Sequence, residues 1–250
     1  MYFFREGSVK TADPLYIKLQ SALADVRLPQ PMFFPEPSGA KWFFNDGMAE
    51  RPLIEWVCDT LIQPDKTFID IGAHVGTYSW MCGKKAAHTY SFECGPDAFC
   101  YLAANIALHG MTYRVSPYPF ALGSREGVVE YYVRSTDGGI NGVKTIRVED
   151  AQCMKVKVPM RTLDSFHFEN VGLIKMDVEG AEKDVLQGAG DTLKRNDFPK
   201  IIFESWGDWM NERGVKATEL RNELFDYIQG LGYSIIQLQN CKDMYLATTS

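Results

Sequence analysis

The run Phe68-Ile-Asp-Ile-Gly-Ala-His-Val-Gly-Thr-Tyr78 carries the most chemistry in the chain. An apolar stretch ends in an acid, and Gly72 and Gly76 bracket a tight turn. Glycine lets backbone approach a ligand closely, and a helix opening after such a turn offers free N–H groups to a carboxylate or phosphate. Asp70 beside the turn would repel a pyrophosphate; it suits the ammonium of a methionine moiety, or the ordering of the loop. The spacing is D-x-G-x-x-x-G, not the G-x-G-x-x-G of dinucleotide sites. Glu93 follows about 20 residues later, where an acid accepts hydrogen bonds from ribose hydroxyls in doubly wound folds. That acid fits adenosine in NAD and in S-adenosylmethionine alike. Cys94 would then lie beside the adenine, and Ala121 would form the other wall. The expected cofactor-binding set is Asp70, Gly72, Ala73, His74, Gly76, Thr77, Glu93, Cys94, Ala121 and Asp177, with His74 shaping the loop rather than acting as a base.

A second constellation is Ile174-Lys-Met-Asp-Val-Glu-Gly-Ala-Glu182. With a period of two, Lys175, Asp177 and Glu179 share one face of a strand. Ligands of open α/β sheets sit outside the carboxyl ends of strands, so these acids point toward the same crevice as Gly72 and Glu93. The neighbouring strand Ile201-Ile-Phe-Glu-Ser205 brings Glu204 to the same rim. Two chemistries fit. A carboxylate could take the proton of an acceptor hydroxyl, which makes Asp177, Glu179 and Lys175 the catalytic candidates. Alternatively, Asp177 and Glu204 could hold a divalent cation that lowers the hydroxyl pKa. Lys175 also has a purely structural reading, as the neutralising partner of Asp177 or Glu204. The four histidines His74, His88, His109 and His167 show no zinc spacing, and neither a G-x-S-x-G elbow nor a P-loop occurs.

The elements that must position these residues alternate. Residues 52–61 read as a helix, 66–70 as a strand, 77–85 as a helix, 88–93 as a strand, 96–108 as a helix and 113–122 as containing a third strand. The pattern resumes with a strand at 172–178, a helix at 180–188, a strand at 201–205 and an amphipathic helix at 217–231. It closes with a hairpin of strands at 233–239 and 244–248. Short strands at 127–133, 143–148 and 154–160 mark an antiparallel insertion near 127–160. The expected architecture is α/β: a doubly wound, mostly parallel seven-stranded sheet with a C-terminal antiparallel hairpin. The expected organisation is an irregular segment over 1–50 and one domain over 51–250. Prolines interrupt the first segment, whose aromatics pack over a core edge or form a lid over an acceptor site.

With 250 residues, a net charge of −6 and pI about 5.3, the chain lacks the broad positive field that nucleic acids favour. No membrane span and no signal peptide are expected. The 6 cysteines form no C-x-x-C pair, which points to free thiols and a reducing, cytoplasmic setting.

The hairpin-closed sheet resembles class I methyltransferases, which are Rossmann-like. The ordered pieces resemble the FkbM methyltransferase family more specifically: Phe68 to Gly76, Ser91-Phe-Glu-Cys-Gly-Pro96 with Asn105, Ala121-Leu-Gly123, Thr162-Leu-Asp-Ser-Phe166, Ile174 to Glu182, and Phe203-Glu204. His74 stands where the family usually has asparagine, and Cys94 where it usually has proline. The resemblance implies methyl transfer from S-adenosylmethionine to a hydroxyl oxygen of a sugar, a glycan or another small hydroxylated molecule. It also implies that Asp70, Gly72, Glu93 and Asp177 line the cofactor pocket. The competing expectations are an NAD-dependent oxidoreductase, which the missing G-x-G-x-x-G loop disfavours, and a non-catalytic cofactor-binding module.

Overall fold

The computed structural model describes residues 2–3, 33–34, 50–134, 141–143, 153–239, 241 and 243–249. Two short strands, β1 (Tyr2–Phe3) and β2 (Phe33–Phe34), pair antiparallel as a small ribbon. Apart from these strands and Glu50, the expected lid segment over 1–50 lies outside the described residues.

Helix α1 (Arg51–Trp56) has Pro52 in its first turn, where the missing N–H costs nothing. It runs into a π-turn, Val57–Leu61. Strand β3 (Thr67–Ile71) follows, every residue buried, as befits a central parallel strand covered on both faces. Then come α2 (Thr77–Gly83), β4 (His88–Phe92), α3 (Pro96–Leu108) and β5 (Val115–Tyr118). Strand β9 (Val171–Met176), α4 (Glu182–Gln187), α5 (Gly190–Arg195), β10 (Lys200–Glu204), α6 (Ala217–Gly230), β11 (Ser234–Gln237) and β12 (Met244–Thr248) complete the main body. The seven strands are ordered β11-β12-β10-β9-β3-β4-β5. β12 is antiparallel to both β10 and β11, and the remaining pairings are parallel. The expected doubly wound sheet with its terminal hairpin is therefore the observed one.

Two expectations are refined. The stretch 113–122 contains the expected third strand, β5, in the main sheet, and adds β6 (Ala121–Leu122), which belongs to a second sheet. Pro119 between them has no N–H to continue a ladder. The insertion, β7 (Gly127–Val133) and β8 (Met154–Arg161), is antiparallel within itself but pairs β6 with β8 in parallel. Of the expected strand at 143–148, all but Val143 lies outside the described residues. Helix α5 was not anticipated. Its first turn is held from a distance by Asp164, whose carboxylate accepts from Thr192 N–H at 2.6 Å, Thr192 Oγ1 at 2.7 Å and Asp191 N–H at 3.1 Å. An acid at a helix N-terminus satisfies orphan donors, so the Thr162–Phe166 motif has a structural duty here.

Apolar side chains fill both sides of the main sheet. Phe68, Trp80 and Leu102 lie in one cluster, and Ile69, Ile71, Phe203 and Ile228 in the other. These layers fix the strand ends, and the loops leaving those ends carry the candidate residues. Among the described residues no helix is long and apolar enough to cross a membrane.

Candidate active site

The turn after β3 is tight because it must be. Gly72 has φ +76°, and a Cβ there would stand 1.8 Å from the carbonyl oxygen of Asp177. The turn thus lies directly against the end of β9. Gly72 and Ala73 donate their N–H groups to Phe92 O, at 2.9 and 3.0 Å, so the loop is also pinned to the end of β4. His74 adopts φ 51°, and Gly76, at φ 91°, leads into Thr77, the buried first residue of α2. Asn105 on α3 donates to Val75 O at 2.9 Å and holds the loop from behind.

Glu93 caps this arrangement. Its Oε2 accepts from His74 N–H at 2.9 Å, and its Oε1 from Gly95 N–H at 2.7 Å. Burial pushes its carboxyl above the usual range, against the lowering effect of the two N–H groups. Each carboxylate oxygen carries two lone pairs, so both oxygens keep capacity for a diol. An open crevice lies over it. Gly72, Glu93, Cys94, Ala121 and Asp177 of the expected set line this crevice, together with Phe120 and Val178. One buried carboxylate among apolar walls is the chemistry a nucleoside requires, so the residues present fit an adenosine moiety.

The insertion supplies a wall that sequence reasoning missed. Tyr131, Asn141, Gly142 and Val143 also line the crevice. Tyr131 is buried and hydrogen-bonded to Asn141, and burial pushes its hydroxyl far up. Asn141 Oδ1 accepts from Arg134 N–H at 2.7 Å, which ties this wall to the end of β7. No period in the sequence announces that Tyr131 turns toward β4.

Asp70 lies behind the loop. It is 0% exposed, accepts from Ser79 Oγ at 2.6 Å and stands 3.8 Å from Lys175 Nζ. Of the two roles expected of it, ordering the loop is the one its contacts serve. Lys175 is nearly as buried. Its Nζ donates to Gly72 O at 3.2 Å, pairs with Asp177 Oδ2 at 3.4 Å and faces the Tyr78 ring at 5.1 Å. Burial lowers its pKa, but the carboxylates of Asp177, Asp70, Glu50 and Glu204 outweigh burial and raise it overall. Lys175 is thus a permanent cation at the heart of an acidic cluster.

Asp177, Glu179 and Glu204 offer oxygens within 4.8 Å of one another, the three sites expected of catalysis or metal binding. Glu179 takes φ 55°, the left-handed bend by which the chain leaves β9. Burial, then the nearby Asp177 and Glu179, push the Glu204 carboxyl well above its usual range, and Glu204 is hydrogen-bonded to Asp177. Glu204 also lines a second open crevice between α4 and α6, with Glu182, Asp184, Ser205, Trp206 and Glu223. Nearby, Trp209 Nε1 donates to Asp243 Oδ2 at 3.0 Å.

Glu182, in the first turn of α4, is 5% exposed. Its Oε1 accepts from Val178 N–H at 3.1 Å and Gly180 N–H at 3.3 Å. Burial outweighs those bonds and raises its pKa from 4.5 to about 7. The native state thus binds more protons than the unfolded chain across that window, and this group's contribution to stability falls as pH rises through it. Glu182→Gln keeps the acceptor and removes the charge. It is expected to stabilise the protein by about 3 kcal/mol at pH 8 and by under about 1 kcal/mol at pH 5. Thermal melts of both proteins at the two pH values check this, and an equal gain at both would contradict it.

The family model described as the methyltransferase FkbM domain matches residues 70–235. The chain belongs to the FkbM methyltransferase family. Within that FkbM span lie the glycine turn, Glu93 and the whole acidic cluster apart from Glu50. Hexuronic acid methyltransferase AglP of Haloferax volcanii is 26% identical over 163 residues, 65% of this chain and 65% of that protein. The 2-O-methyltransferase NoeI of Sinorhizobium fredii is 26% identical over 172 residues, 61% of this chain and 68% of that protein. The match to AglP thus spans just under two thirds of that relative. The S-adenosylhomocysteine-bound structure of the Podospora anserina methyltransferase PaMTH1 superposes with a TM-score of 0.53 at 11% identity, covering 93% of this chain and 88% of that one. This likeness establishes the class I methyltransferase fold of the FkbM domain.

Proposed function

We propose that this FkbM domain is an S-adenosylmethionine-dependent O-methyltransferase whose acceptor is a hydroxyl of a sugar or glycan. One observation carries the reading. Asp177 lines the nucleoside crevice, Glu204 lines the crevice between α4 and α6, and the two carboxyl groups are hydrogen-bonded to each other. A proton-handling pair thus stands at the junction of two binding sites. The family membership and the names of AglP and NoeI support the same chemistry.

S-adenosylmethionine supplies, when bound, a methyl group on a positively charged sulfur. The chain's own residues do the rest. Glu93 accepts from the ribose hydroxyls, and the glycine turn admits the ligand against backbone. Asp177 takes the acceptor's proton as the oxygen attacks, a step worth about 10²–10⁴-fold in rate. Lys175, 3.4 Å from Asp177 and 4% exposed, pairs with the Asp177 carboxylate and orients it. Glu204, hydrogen-bonded to Asp177, steadies it from the other side.

The same cation bears on the metal reading. Asp177, Glu179 and Glu204 are close enough to chelate, but Lys175 Nζ already supplies Asp177 with a positive partner. Turnover is therefore expected to be independent of divalent metal. The crevice between α4 and α6 carries Glu182, Asp184, Glu204 and Glu223 against one cation, Lys183, which is bonded to Glu223 at 2.8 Å. Such a surface accepts hydrogen bonds from neutral or amino sugars and repels a carboxylate. Methyl transfer to a panel of neutral, amino and uronic glycosides, with and without EDTA, tests both points. Turnover on neutral or amino sugars at least about tenfold above the uronic ones, unchanged by EDTA, is expected. A preference for uronic acceptors would overturn the acceptor assignment, and loss of turnover in EDTA restored by magnesium would overturn the metal-independent one.

A further inference from the structure

Away from the strand ends, two thiols meet. Cys58 sits in the π-turn after α1, and Cys82 near the end of α2, with their Sγ atoms 3.1 Å apart. A disulfide bond is about 2.05 Å long, so bonding requires an approach of only about 1 Å. Cys82 is 0% exposed and packs in the core, whereas Cys58 is half-buried and reaches solvent. Lys85 places its Nζ 2.7 Å from the Cys58 carbonyl oxygen.

The two sulfurs are not equivalent. The hydrogen bond from Cys82 lowers the Cys58 pKa, with help from the Lys85 charge, against burial and the carboxylates of Asp59 and Glu55. Cys82 is pushed well up by that same bond, by burial and by the neighbouring Asp70. One member of the pair is therefore disposed to be the nucleophile and the other the resolving thiol.

We propose that Cys58 and Cys82 are a reversible disulfide site, joining the turn that enters the domain to the helix that carries the glycine loop. A hydroperoxide is a sufficient oxidant. The Cys58 thiolate attacks one peroxide oxygen; an S–O bond forms, the O–O bond breaks, and hydroxide leaves to take up a proton. Cys82 sulfur then attacks the Cys58 sulfenic sulfur; the S–S bond forms, the S–O bond breaks, and the departing hydroxide takes the Cys82 proton. Two thiols are oxidised, and one hydrogen peroxide is reduced to two waters. A dithiol reverses the step by exchange. Because Cys82 stands in contact, the sulfenic acid is captured before it advances to sulfinic acid.

The test treats the full chain with equimolar hydrogen peroxide, blocks remaining thiols with iodoacetamide and maps the peptides by mass spectrometry. The expected product is a Cys58–Cys82 linked peptide two hydrogens lighter, with Cys94, Cys100, Cys153 and Cys241 alkylated, and complete reversal by dithiothreitol. Closing the loop raises Tm by about 5–10 °C over the reduced protein. Cys58→Ser is expected to show neither the link nor the rise, and Cys82→Ala to accumulate Cys58 sulfenic acid. Alkylation of both Cys58 and Cys82 after oxidation, a link from Cys58 to the exposed Cys100, or sulfinic acid on Cys58 of the wild-type chain would each overturn the proposal.

Discussion

Asp177→Asn lowers turnover by about 10²–10⁴-fold while leaving the Kd for S-adenosylhomocysteine within about twofold. The separation follows from which atoms of Asp177 do what. Its backbone carbonyl is the atom that abuts Gly72, and its N–H donates to Ile71 O at 3.0 Å, so the loop contact survives any side chain. Its carboxylate is the part bonded to Glu204 and paired with Lys175. Asparagine preserves the shape and removes the proton acceptor. Lys175 keeps Asp70 at 3.8 Å, so no buried cation is stranded and the variant folds. Initial rates together with calorimetric titration of the product separate the two effects. Equal turnover in the variant would remove Asp177 from the chemistry, and a large rise in Kd would assign it to binding.

Glu93→Gln weakens S-adenosylhomocysteine binding by about 100-fold, nearly as much as Glu93→Ala. An amide looks conservative, but here it is not. Both Glu93 oxygens already accept from backbone, Oε2 from His74 N–H and Oε1 from Gly95 N–H. A glutamine has one acceptor, so its NH₂ must point at one of these donors and leave a buried N–H unpaired. Gly95 cannot yield, because even a Cβ there would meet Tyr131 Oη at 2.5 Å and Glu93 Oε1 at 3.0 Å. The substitution therefore disturbs the loop and removes the ribose acceptor together. Titration of both variants checks this, and near wild-type affinity in Glu93→Gln would show that the ribose is held elsewhere.

The main sheet was legible because its strands are short apolar runs that end in chemistry, as in Thr67–Ile71 before Gly72. Glycine at 72 and 76 and the acid at 93 are visible because a close backbone approach and a diol acceptor each demand one residue type. What stayed hidden depends on contacts between distant segments. Lys175 pairs with Asp70 across two strands, and no spacing in one chain reveals which acid a lysine meets. Glu182 looks like helix surface until its carboxylate folds back onto the N–H groups of Val178 and Gly180. Tyr131 faces the cofactor crevice because the insertion folds back through a β6–β8 pairing, which pattern alone does not set. Cys58 and Cys82 lie 24 residues apart, too far for a local motif.

The central claim is that the crevice over Glu93 binds a methyl-donor nucleoside and not a dinucleotide. Calorimetric titration with S-adenosylhomocysteine, repeated with NAD and with the Glu93→Ala chain, tests it most directly. Saturable binding of S-adenosylhomocysteine alone, lost or strongly weakened in the variant, is expected. Binding of NAD in its place, or S-adenosylhomocysteine binding that the variant leaves unchanged, would contradict it.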